Sequence, residues 1–391
     1  MIMKIKLKTS TSFRALAISS VIYLESLKID IKAPTHTTIL NWIHKIGYYE
    51  LYKLKEKADD WIIILDESIQ FGQEKVLVIL GIREKNIDFT RPLQFKDLLP
   101  LRIITKTNWN GTLLNEVLQD LKEEIGYIKY AVADYGSDIK KGLNLANIKH
   151  IHDLTHNIGL IIEKILSKED DFFNLAMKIK KMRKQFAQTK IAFLKPPKLR
   201  TKCRYRNIML LSNWGEKIIK YIKLHKDNNE VMKKLGWILE NEEIINEYSI
   251  FSNSICEIEK ILKWNGITKE SKEKCNELLT KNNFPSGIIL KSEMLKYFKQ
   301  IEDLLPHENK VLISSDILES AFGKYKNYVS SNPMAGITNL ILCISAFTSN
   351  LDENTIKNAL EKTTINHIKK WTKEFVGDTL LKRRRMAFNN A

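Results

Sequence analysis

From about residue 60 to residue 166 the apolar pattern runs strand, strand, strand, helix, strand, helix, strand, helix, and few folds accept that order. Strand-like runs fall at 61–66, 75–82 and 101–107. An amphipathic helix fits 110–125, opened by Asn110-Gly111 and closed by Gly126. A strand at 128–134, a helix at 137–144, a strand at 148–152 and a helix from Asp153 to Leu166 complete the series. Three strands before the first helix argue for a mixed sheet rather than a doubly wound parallel one. The expected core is therefore α/β, a mixed five-stranded sheet with flanking helices.

Two of these runs end in aspartate: Trp61-Ile-Ile-Ile-Leu-Asp66 and Tyr130-Ala-Val-Ala-Asp134. A carboxylate is costly to bury unless it is paired or bound to a cation. Two of them at the tips of neighbouring strands are a good place to hold a hard metal. A third acid, Glu319, lies in the helix-like stretch Ser315-Asp-Ile-Leu-Glu-Ser-Ala-Phe-Gly-Lys-Tyr-Lys326. Ser314 and Ser315 suit the start of that helix, and Lys326, two turns beyond Glu319, projects from nearly the same face. Phosphodiester chemistry needs an activated water or hydroxyl and charge neutralisation at the leaving oxygen, and two divalent ions about 4 Å apart supply both. Mg²⁺ takes oxygen ligands and keeps several waters, so a few carboxylates suffice. Asp66 would bridge two Mg²⁺ ions, with Asp134 and Glu319 each binding one; Mn²⁺ would substitute.

Other acids compete for these roles. Glu67 points to the opposite face if its strand continues. Asp138 suits a helix start. Asp153 ends the fifth strand in His150-Ile-His-Asp-Leu-Thr-His156. Asp153 and His156 can meet at a helix start and tune the site or touch DNA, or Asp153 simply caps a helix. They stand, with Lys326, as auxiliary candidates. No zinc set accompanies His152 and His156. The four cysteines (Cys203, Cys256, Cys275, Cys343) are far apart and form no Cys-x-x-Cys pair, so reduced thiols in the cytoplasm are the simple reading.

The chain of 391 residues carries a net charge of +17, and residues 172–226 supply +15 of it, with Glu216 their single acid. That density points to a polyanion, because cations that neutralise phosphates release counterions. The plainer alternative is a solvated helix face. Lys4, Lys6, Lys8 and Arg14 precede an apolar stretch, Ala15 to Leu24, that loosely mimics a signal peptide. No cleavage site follows, so the stretch reads as an amphipathic helix. The apolar run Leu340 to Phe347 is too short to span a bilayer, and no membrane partner is expected.

Five regions follow. Residues 1–55 are helical: Phe13 to Lys28, then a helix after Pro34 closed by Gly47. Its polar positions Thr37, Thr38, Asn41 and Lys45 suit a helix-turn-helix that reads a DNA groove; a plain helical hairpin on the core is the alternative. Residues 56–169 form the first part of the sheet domain. Residues 170–305 lose the strand signal and form a basic helical insertion, in which Arg200, Lys202, Arg204 and Arg206 are candidates for tracking the DNA backbone. Trp214 and Trp237 suit base stacking or, more simply, the core. Residues 306–350 bring the glutamate helix, and 351–391 form a basic helical tail with Lys382-Arg-Arg-Arg385, which binds DNA or is merely solvated.

The strand order is that of an RNase H-like fold. With Asp66, Asp134 and Glu319 in that sequence, the chain resembles the DDE transposases of bacterial insertion sequences. The resemblance extends to Leu-Asp-Glu-Ser-Ile-Gln-Phe-Gly72, Ala-Asp-Tyr-Gly-Ser-Asp138, His-Asp-Leu-Thr-His156 and Leu-Glu-Ser-Ala-Phe-Gly-Lys324, over roughly residues 12–350. It implies that Asp66, Asp134 and Glu319 bind the catalytic Mg²⁺ ions. The gap of 185 residues from Asp134 to Glu319 is similar to the branch with a helical insertion before the glutamate helix, as in hAT-type and cut-and-paste insertion-sequence enzymes. The chain departs in carrying Leu312 and Ser315 where some relatives have Tyr and Arg, which leaves a hairpin intermediate open. Its region before the strands is short for a complete end-recognition domain, as in a truncated copy.

The resemblance implies cleavage of DNA at element ends and transfer of the 3′-hydroxyl to target DNA. It also implies a homodimer at synapsis and a bacterial cytoplasm, close to the nucleoid. An RNase H-like nuclease without strand transfer, or a decayed element copy that only binds DNA, remains open on the same residues.

Overall fold

The computed structural model describes residues 1–71, 74–167, 170–186, 189–199, 206–329, 336–376, 378 and 380–389; side chains of 68–71, 170 and 380 are left aside. The chain divides into two compact units. One comprises Met1–Asp88, Pro92–Asp153 and Ser314–Ala391; the other comprises Phe89–Arg91 and Leu154–Ile313.

The first unit opens with α1 (Ile2–Lys8), α2 (Phe13–Ser26) and α3 (His36–Tyr52). The sheet follows as β1 (Ala58–Phe71), β2 (Glu74–Arg83), β3 (Leu99–Lys106), α4 (Gly111–Ile125), β4 (Gly126–Ala133), α5 (Ser137–Leu145) and β5 (Lys149–His152). Its spatial order is β3-β2-β1-β4-β5. β1 runs antiparallel to β2, and β2 to β3; β4 is parallel to β1 and β5 to β4. Those directions and that order are those of an RNase H-like fold.

One face of the sheet is closed by a cluster of Trp61, Ile63, Leu65, Ala131 and Ala133 with Leu114, Leu118 and Leu121 of α4 and Ile139 and Leu143 of α5. The alternation along β1 and β4 assigns the odd-numbered residues to this face. The turn from α4 into β4 depends on Gly126, at φ +93°, where a Cβ would meet the Ala58 carbonyl.

The second unit is helical: α6 (Leu154–Leu166), α7 (Asp170–Arg183), α8 (Asn207–Leu224), α9 (Asn229–Leu235), α10 (Glu242–Asn265), α11 (Lys269–Thr280) and α12 (Pro285–Leu304). It takes in α6, which the composition shift near residue 170 assigns to the sheet domain. The chain returns to the first unit with α13 (Asp316–Tyr328), α14 (Cys343–Phe347), α15 (Glu353–Lys362), α16 (Ile365–Phe375) and α17 (Leu380–Asn389). Among the described residues no helix is long and apolar enough to cross a membrane.

Two expectations are corrected here. Gly47 does not end a helix; α3 runs on to Tyr52. Gly47 is instead the point of closest approach to the segment before α14, where a Cβ would collide with the Leu342 carbonyl. Nor does α3 stand out as a reading helix. It packs against α2, α14, α15, α16 and β3, burying Ile39, Ile43, Ile46 and Leu51. Lys45 donates to the Leu360 carbonyl at 2.9 Å and so satisfies the C-terminal end of α15. Asn41 and Thr38 are half-buried, and of the four polar positions Thr37 alone is exposed.

Candidate active site

β1 and β4 are buried up to the aspartates and open at them. Leu65 and Ala133 are fully buried, whereas Asp66 and Asp134 are half-buried. Ile64 opposite Val132 is the last parallel pair of the two strands. Asp66 and Asp134 each lie two residues further on: Asp66 is still in β1, on the face opposite the α4–α5 cluster, and Asp134 directly follows β4. β1 does not stop at Asp66 as its charge suggests. It continues to Phe71 against β2, with one extra residue between the pairs Asp66–Val78 and Ile69–Val76. Such a bulge re-aims side chains and is frequent beside active sites.

Glu67 is the residue the strand pattern undervalues. Its Oε1 is buried without a hydrogen-bond partner. Burial pushes its carboxyl up to about 7; Lys75 opposes the shift, and Asp138 and Asp134 add to it. Three acids thus bear on one place where a buried oxygen lacks a partner. The Asp134 carboxylate accepts the Gly136 N–H at 2.9 Å, which fixes the turn between β4 and α5. Beside it, Tyr135 stacks on His152 with ring centroids 3.5 Å apart, and His150 lies 4.3 Å from His152. Burial lowers His152 to about 4, with His150 and Lys140 adding. Burial also lowers His150. β5 therefore supplies neutral rings at pH 7, not cations that would compete for the Asp134 charge.

α13 packs against β1 and contributes nothing to the α4–α5 cluster. Its start is fastened by Asp153, whose Oδ2 accepts the Ser315 N–H at 2.7 Å and the Ser315 hydroxyl at 2.8 Å. Asp153 is itself 1% exposed, and its N–H donates to the Ala133 carbonyl at 2.8 Å. The end of β4 and the start of α13 are thereby tied through one residue, by its backbone N–H on one side and its carboxylate on the other. Ser315 is consequently no cap; Ser314 Oγ accepts the Asp316 N–H instead, at 3.3 Å. Glu319 lies in the first turn of α13 and is exposed, as is Lys326. Gly323 between them has nothing within 4 Å of a Cβ position, so this strip of α13 faces open space.

The acid set suits a hard divalent cation in its chemistry: carboxylate oxygens throughout, with a partnerless buried oxygen among them. Among the described residues no three His, Cys, Asp or Glu side chains are gathered closely enough to hold an ion as they stand.

His156 is in the first turn of α6, in the helical unit. Arg200, Lys202 and Arg204 lie outside the described residues; Arg206 precedes α8 and is half-buried. Trp214 donates its indole N–H to the Leu194 carbonyl at 3.1 Å, and Trp237 to the Lys234 carbonyl at 3.1 Å, so both are bonded within the helical unit. Sequence reading had no local signal for Ser315 as the partner of Asp153, 162 positions away.

No family model matches the chain, and no curated protein matches it. Among solved structures the chain is similar to the Drosophila P element transposase strand transfer complex, at TM-score 0.41 and 12% identity. The similarity covers 89% of this chain and 92% of that one. It assigns no residue a role.

Proposed function

We propose that the protein is a DDE-type transposase that cleaves DNA at element ends and joins the exposed 3′-hydroxyl to target DNA. Asp66, Asp134 and Glu319 are its metal-binding acids, for two Mg²⁺ ions or Mn²⁺. One observation carries this: Asp66 and Asp134 stand at equivalent positions, each two residues past the last pair of two neighbouring parallel strands in an RNase H-like sheet, and the Glu319 helix is packed on β1. When bound, the ions would activate the attacking oxygen and neutralise the leaving one. The chain's own part is positional. The bulge after Asp66 and the Gly136 turn after Asp134 fix the two aspartates. The Asp153–Ser315 tie sets where α13 begins, and through it where Glu319 stands. Lys326 offers a cation to a phosphate on the exposed strip of α13. The net charge of +17 supports DNA as the partner, and two ends held together at synapsis would make the working form a homodimer.

The test uses labelled duplexes carrying the DNA that flanks the gene. Mg²⁺-dependent cleavage and strand-transfer products are expected from the wild type. Asp66→Asn, Asp134→Asn and Glu319→Gln should each lose cleavage by at least about a thousandfold while DNA affinity stays within about twofold. Full cleavage by Glu319→Gln would remove that residue from the set. Cleavage without joined products would identify a nuclease.

A further inference from the structure

The sheet unit holds an open cavity of about 800 Å³ whose lining includes none of Asp66, Asp134 and Glu319. Its walls are α16, α17 and the segment around Thr338, and its charged lining is Lys369, Lys373, Lys382, Arg383 and Asp378. Lys382 is paired with Asp378 at 2.5 Å, and Arg383 lies 3.8 Å from Glu74. Lys369 and Lys373 are exposed, one turn apart on α16, and neither makes an ion pair among the described residues. The buried side of α16, with Ile368 and Trp371, fixes that lysine face outward. A cavity this wide, with two unmatched cations on a rigid helix, suits an extended polyanion better than a single small anion.

Its location narrows the ligand further. Glu74, which Arg383 approaches, pairs with Phe71 of β1, five residues beyond Asp66. At ~3.3 Å per residue that is roughly 15 Å along the strand. Phosphates of one DNA strand recur about every 3.4 Å, so a duplex at the acids reaches the cavity within about five base steps.

We propose that this cavity is a DNA-backbone site, in which Lys369 and Lys373 grip phosphates of the duplex next to the one being cut. It rests on the chain being a DNA-cleaving enzyme, and the experiment separates the two. Affinity of the full chain for a short labelled duplex is measured against salt concentration, in Ca²⁺ to prevent cleavage. The double variant Lys369→Ala, Lys373→Ala should bind about tenfold more weakly, and the slope of log affinity against log salt should fall by about 2. Replacing both lysines by arginine should restore both quantities. Removing two exposed lysines elsewhere in the unit, Lys4→Ala with Lys8→Ala, should cost much less. An unchanged slope in the Lys369/Lys373 variant, or an equal loss in the Lys4/Lys8 variant, overturns the site. Stronger competition by single-stranded RNA than by duplex DNA overturns the choice of ligand. If no DNA is cleaved but the slope still falls by about 2, the cavity stands and transposition as the function falls.

Discussion

At the scale of single residues, Asp153 separates support from chemistry. From its place at the end of a strand it reads as a rival metal ligand. In the fold its Oδ2 is committed to the Ser315 N–H and hydroxyl, in a setting with almost no solvent access. Removing the acceptor leaves two buried donors unmatched, and such groups cost about 1–3 kcal/mol each. Asp153→Ala should therefore destabilise the protein by about 2–6 kcal/mol in denaturant unfolding. Asp153→Asn keeps an oxygen in the same place, so it should retain the fold and lose no more than about tenfold in Mg²⁺-dependent cleavage. A folded Asp153→Asn protein as inactive as Asp66→Asn would make Asp153 a ligand after all. Glu67 is the reverse case. Its neighbour Asp66 drew the attention, and nothing in a single sequence tells that a strand continues past two adjacent acids through a bulge.

At the scale of elements, β1, β2 and β4 were legible because their apolar runs are long and buried, and the helices because their apolar residues recur at helical spacing. What was not legible depended on contacts between distant segments. Gly47 carries the usual signal of a helix end, yet α3 continues through it because the Leu342 backbone lies against that position. Lys45 looks like a solvent-facing reader, yet its amino group serves the carbonyl of Leu360, 315 positions away. Gly47→Ala gains helix propensity of about 1 kcal/mol, but the methyl group has to displace a backbone carbonyl that cannot rotate aside. A net loss of about 2 kcal/mol is expected, with α3 and the α14 segment moving apart. Equal or higher stability of Gly47→Ala in urea melts would show that the two segments are not held so closely. Gly323, with open space around it, serves as the control: Gly323→Ala should stabilise α13 slightly.

At the scale of the whole molecule, charge and burial act together. The excess of positive charge was plain from composition, but not where it would be useful. The densest basic stretch belongs to the helical unit, while the two unmatched lysines of the cavity come from the basic tail, 351–391, ahead of its Lys382-Arg-Arg-Arg385 run. Burial also sets how the sheet unit answers to acid. His44 lies in α3 at 3% exposure, with Nε2 buried and unpartnered. Burial lowers its pKa from 6.5 to about 4. The unfolded chain takes up that proton near pH 6.5, while the folded chain refuses it until about pH 4. Below pH 6.5 the unfolded state therefore binds more protons, stability falls as pH falls, and this contribution levels off near pH 4. Between pH 7 and pH 5 the one group accounts for about 2 kcal/mol. His44→Leu fills a similar volume and cannot titrate. Its unfolding free energy, measured in urea at both pH values, should drop by about 2 kcal/mol less than that of the wild type. Parallel losses in the two proteins would mean that His44 is protonated in the folded chain, and that the packing of α3 against its neighbours is looser than its burial implies.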